Sequence, residues 1–193
     1  MEDRKLNSQE SLDLIASMIR NTQNTIQKNA GSYSVLWGYI TFLTALAVYF
    51  CVYYTGDYRW NYMWAAIPVI GMPIMLISDR NREKPVRTFV DTAVNKLWIP
   101  VGISLCVFPF FIGRTALTLA TLLFSIAMMQ TGLVVKYRVF TIAGAIGIAG
   151  ALALIFIRGL DQILVFAFLD LLVLVVPGHM LNYKSRKSVS RNA

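Results

Sequence analysis

Six apolar runs, each close to the length needed to cross a lipid bilayer, fix what this chain can fold into. They fall at 33–54, 62–78, 97–113, 115–135, 139–157 and 162–182. A bilayer core asks for about 20 consecutive apolar residues, with a range of about 17–25. Backbone polar groups find no water there, so such a run must satisfy them internally as a helix. The second and third runs are short and carry prolines (Pro68 and Pro73; Pro100 and Pro109), where kinks are expected. Only 15% of the 193 residues are charged, against about a quarter in soluble domains. The fold expected is therefore all-α, an integral membrane bundle of six transmembrane helices. Residues 1–32 are polar and lack the basic start, short apolar region and cleavage site of a signal peptide. The first run is accordingly expected to remain as a span.

Charge orients the bundle. The N-terminal segment, the loop after the second run, the loop after the fourth and the tail together carry 15 of the 18 lysines and arginines. The opposite side holds only Arg59, Arg114 and Arg158. This positive-inside bias predicts both termini in the cytoplasm, N-in and C-in, in a bacterial inner membrane. Trp37, Trp60, Trp64 and Trp98 sit near the ends of runs, as an aromatic belt does. The net charge of +8 is thereby assigned to an anionic inner leaflet and not to nucleic acid. Three units follow: a cytoplasmic amphipathic helix at 1–32, a six-helix transmembrane domain at 33–183, and a basic cytoplasmic tail at 184–193, expected to be mobile near headgroups.

The N-terminal stretch NSQESLDLIASMIRNTQNTIQKNAG, residues 7–31, has helix signals at both ends. Asn7 or Ser8 caps its start and Gly31 is expected to end it. Leu12, Ile15, Met18, Ile19 and Ile26 recur at helical spacing on one face, opposite Asp13, Arg20, Gln23 and Lys28. Such a face docks on the leaflet, on its own bundle or on a partner helix. Residues 86–98 form a second, weaker amphipathic segment leading into the third run.

Inside the membrane the chemistry is sparse. The run FAFLDLLVLVVPG, residues 166–178, contains one carboxylate, Asp170. A charged acid at the bilayer centre costs about 2.5–3.5 kcal/mol on insertion scales, so Asp170 must face the bundle interior. At about 1.5 Å per residue, Thr44 in the first run and Thr121 and Ser125 in the fourth lie near its depth. They are its expected polar neighbours, in a hydrogen-bonded contact between helices or a proton or cation site. Ala143, Gly147 and Ala151 form a small-residue stripe for close helix packing, within one chain or between copies. The single histidine, His179, is read as an interfacial side chain. Cys51 and Cys106 lie at different depths, too far apart to bridge.

The sequence contains no HExxH, GxSxG or phosphate-binding lysine loop, and no Cys/His spacing for a metal. No cofactor is expected, and the chain is read as not an enzyme. The segments LNSQESLDLIASMI, LWGY, TGLVVKYR and PGHMLNYK resemble a family of small multi-pass bacterial inner-membrane proteins without an assigned activity. The resemblance implies an N-terminal cytoplasmic helix before a membrane bundle and supplies no catalytic residue. The function expected is that of a regulator, sensor or accessory subunit acting through a protein partner or as a homo-oligomer. The alternative is a small proton- or cation-coupled transporter using Asp170.

Overall fold

The computed structural model describes residues 8–80, 89–107 and 109–190, with side chains at 9, 30–80, 92–107, 111–113 and 115–185. All regular structure among them is helical. Helix α1 (Ser8–Thr55) is followed by a 3₁₀ segment (Tyr58–Ala65), α2 (Ala66–Arg80), α3 (Phe89–Val107) and the short α4 (Pro109–Ile112). Next come α5 (Ala116–Val134), α6 (Arg138–Leu154), α7 (Asp161–Asp170), a π-turn (Leu171–Val175) and α8 (Val176–Ser190). The last three run on without a break as one final helix. Six helical rods fit the six apolar runs. Four are long and apolar enough to cross a membrane: Ala30–Thr55, Tyr58–Arg80, Ala116–Val134 and Asp161–Ser185. Thr92–Val107 and Arg138–Leu154 are apolar but shorter.

Two expectations about the ends are corrected. Gly31 does not end a helix: α1 is continuous over 48 residues. A glycine inside a helix costs about 1 kcal/mol relative to alanine, and here it permits a close crossing. A Cβ on Gly31 would lie 2.5 Å from Asn182 Oδ1 and 3.1 Å from the Gly178 carbonyl oxygen. A Cβ on Gly178 would in turn lie 3.0 Å from the Gly31 carbonyl oxygen. The basic tail likewise does not begin as a loose segment, because α8 carries it in helical form to Ser190. A helix already held by its neighbour extends at little cost, since propagation adds a hydrogen bond per residue while nucleation is the expensive step.

The inner face of α1 follows a stricter rule than its amphipathic start suggested. Gly31, Ser34, Gly38, Thr41, Ala45, Val48 and Val52 alternate three- and four-residue steps, and all are buried. This is the heptad rhythm of a left-handed helix pair. Small residues at the first positions let the backbones approach, and larger ones follow. The seam packs on the final helix, which runs antiparallel to α1: Ser34 Oγ donates to the Leu174 carbonyl at 2.6 Å, and Phe42 meets Phe168 edge-on.

The core divides in two. One cluster gathers Met128, Tyr137, Phe140, Val173, Leu174 and Leu181, near the turn between α5 and α6. The other gathers Ala45, Val48, Leu154, Ile163, Phe166 and Ala167, near the turn between α6 and α7. The α5–α6 turn closes with Lys136 in the left-handed region, φ 56°. There the Tyr137 N–H reaches back to the Gly132 carbonyl at 2.9 Å, the arrangement that usually selects glycine. Lys136→Gly is expected to stabilise the fold by about 0.5–1 kcal/mol, the relieved left-handed strain less the entropy of glycine. Thermal unfolding in mild detergent reads this as a raised midpoint, and an unchanged midpoint would refute it.

Candidate functional site

Asp170 lies between the two apolar clusters. Phe166 and Ala167 on its N-terminal side belong to one, Val173 and Leu174 on its C-terminal side to the other. It is 4% exposed, and its Oδ2 atom is buried without a hydrogen-bond partner. The residue closes α7 where the helix widens. Here the Val176 N–H bonds back five residues, to the Leu171 carbonyl. The cause lies next in the chain. Pro177 has no N–H to donate and would crowd the carbonyl four residues earlier, so the helix loosens just before it.

Of the sequence-predicted neighbours, Thr121 and Ser125 share a cavity with Asp170. The space measures about 10 Å³ and is also lined by Phe124, Phe166, Leu169 and Val173. That is roughly the room of a single water. Both hydroxyls bond to their own helix: Thr121 Oγ1 donates to the Leu117 carbonyl at 2.9 Å and Ser125 Oγ to the Thr121 carbonyl at 2.6 Å. A hydroxyl has one hydrogen and two lone pairs. With the hydrogen committed, each presents only acceptor capacity to other neighbours.

Thr44 is also buried, but it is not part of the cavity lining. The α1 residue that matches Asp170 in level is Thr41. Gly38 abuts Leu174 and Val175 while Phe42 meets Phe168, so Thr41 and Asp170 fall between the same two rungs of the antiparallel pair. Thr41 is 1% exposed, and its Oγ1 has no hydrogen-bond partner. Depth counting chose Thr44 because it assumed where the first span begins. The alternating seam of α1 was the signal that singles out Thr41.

The small-residue stripe faces inward. Ala143, Gly147 and Ala151 are all buried. A Cβ on Gly147 would collide with Ser125 Oγ and lie 2.7 Å from Val173 Cγ2. Gly147 thus makes the space that Ser125 and Val173 occupy at the cavity wall. Leu12, Ile15, Met18, Ile19 and Ile26 belong to α1 by their backbone, and their side chains lie outside the described ones.

Sequence reasoning missed two further polar anchors. Gln162 is buried and its Nε2 donates to the Leu154 carbonyl at 3.1 Å, tying the start of the final helix to the end of α6. Trp98 Nε1 donates to Thr131 Oγ1 at 3.1 Å, tying α3 to α5. His179 sits on the surface against Tyr39, with Nε2 3.1 Å from the phenol oxygen.

No family model matches the chain, and no curated protein or solved structure matches it.

Proposed function

We propose that this chain is an integral protein of a bacterial cytoplasmic membrane, with both termini on the cytoplasmic side. In this reading it is not an enzyme and works through a protein partner, as a sensor, regulator or accessory subunit. Four helices of sufficient length and apolarity support membrane residence. So does the outward surface: Leu43, Ile70, Leu76, Phe111 and Phe156 are among many large apolar side chains facing out, more than a water-soluble monomer exposes. The placement of lysines and arginines supports the orientation, and the family resemblance supports the bacterial inner membrane.

One observation carries the partner reading: α1 is unbroken from Ser8 to Thr55, while the sequence ahead of Ala30, with Glu10, Asp13, Arg20 and Lys28, is too polar to lie in hydrocarbon. Residues 8–29 therefore extend the first span as a rigid arm, roughly 33 Å at about 1.5 Å per residue. By sequence that arm bears an apolar face. The test is purification of the full chain from its native membrane in mild detergent, followed by the composition of the complex. A stoichiometric second protein is expected, and Ile15→Asp with Ile19→Asp should release it without lowering the unfolding midpoint. Retention of the partner by that double variant would sink the reading.

A second reading, proton- or cation-coupled transport through Asp170, is favoured by the unpartnered carboxyl oxygen beside a cavity. It predicts flux in liposomes that Asp170→Asn removes.

A further inference from the structure

The side-chain oxygens that line the Asp170 cavity have no free hydrogen to offer once the acid is ionised. Oδ2 of Asp170 is buried and unpartnered. Thr121 and Ser125 have committed their hydrogens to backbone carbonyls. Among the described residues that line the cavity, Asp170 is the only ionisable one. A cluster that offers only oxygen lone pairs is satisfied by a positive occupant, and an unsatisfied buried polar group is costly.

Charge and size narrow the occupant. One carboxylate is neutralised by one positive charge. A divalent ion would leave a net charge in an apolar core, which is penalised heavily. Carboxylate and hydroxyl oxygens are hard donors and suit hard cations. The cavity of about 10 Å³ holds something of water size and nothing larger. We propose that Asp170, with Thr121 and Ser125, forms a buried binding site for one sodium-sized monovalent cation. The cation enters as the carboxyl proton leaves to water, so the site is neutral before and after the exchange. Protons therefore compete with the cation. Binding at this site stands apart from whether the chain transports anything.

Equilibrium binding of radioactive sodium to the purified full chain in detergent is the test, with choline chloride holding ionic strength constant. One saturable sodium per chain is expected at alkaline pH. While the acid is mostly protonated, each unit fall in pH should raise the apparent dissociation constant about tenfold, because one proton is displaced per ion. Asp170→Asn should abolish binding, and a sodium-dependent rise in unfolding midpoint should vanish with it. If that variant does not fold, Thr121→Val decides: weakening of about tenfold or more supports the site, as loss of one supporting group does elsewhere. No bound sodium at any pH overturns the proposal and leaves Asp170 a neutral acid between helices. Binding that survives in Asp170→Asn, or is unchanged in Thr121→Val, overturns it as well.

Discussion

Replacing Gly144 by leucine is expected to abolish cooperative unfolding of the bundle. A Cβ at this position would lie 2.6 Å from the Met129 backbone nitrogen and 2.6 Å from the Ser125 carbonyl oxygen. These are main-chain atoms of α5, so no side-chain rotation relieves the clash. The α5–α6 pair must separate, and the separation reaches Met128 and Phe140 in one cluster and Leu154 in the other. Overpacking of a close core contact costs about 1–3 kcal/mol and occasionally more. A leucine pressed on backbone belongs at or above the top of that range. Ile146→Leu on the same helix is the control: Ile146 is 52% exposed and should change the midpoint by less than about 0.5 kcal/mol. Thermal unfolding followed by circular dichroism in one detergent compares the two. A Gly144→Leu protein that melts like its parent would mean that α5 and α6 do not cross here.

The second large effect is at the crossing of α1 and α8. Gly31→Leu and Gly178→Leu should each lower stability by about 1–3 kcal/mol, because each side chain meets the other helix's backbone or the wall beside it. Their combination should cost clearly less than the two together. Once one leucine has pushed the helices apart, the second finds the space open, and residues sharing a contact do not act additively. A double-mutant cycle on the unfolding free energy measures the difference. Additive costs would show that the two glycines are not facing one another.

The rods were legible because lipid-length apolar runs are long, continuous signals, and among the described residues each of the six runs is helical. Their joins were not. Gly31 carries the local mark of a helix end, yet its missing side chain answers to Gly178, about 150 residues away, and local sequence says nothing of that neighbour. The same failure of local reading applies to the tail, whose polar composition suggested a loose end while α8 continues as far as Ser190. At the site, the lone acid was conspicuous in an apolar run, and the two α5 hydroxyls were found by depth alone. Thr41 was not, because depth counting rests on where the first span is taken to begin, and an error of one turn moved the choice to Thr44. The seam was in the sequence nonetheless. The residues from Gly31 to Val52 keep one alternating step, on a different face from the stripe of residues 12–26, so the rhythm has to be read afresh after the glycine. The widened turn at Asp170 depends on Pro177, and proline's effect on the turn before it can be anticipated in kind but not in form.

Helix α1 has a mechanical consequence. One of its close crossings with the final helix, Gly31 against Gly178, is near the point where the polar arm meets the apolar run. A stiff rod gripped at that point behaves as a lever with its fulcrum there. A tilt of about 10° in the membrane-length portion would swing the far end of an arm of roughly 33 Å by about 6 Å. That is close to one helical pitch, enough to carry a side chain from one groove of a neighbouring helix to the next. A displacement of Val52 would thus be carried, undiminished and in the opposite sense, to Ser8.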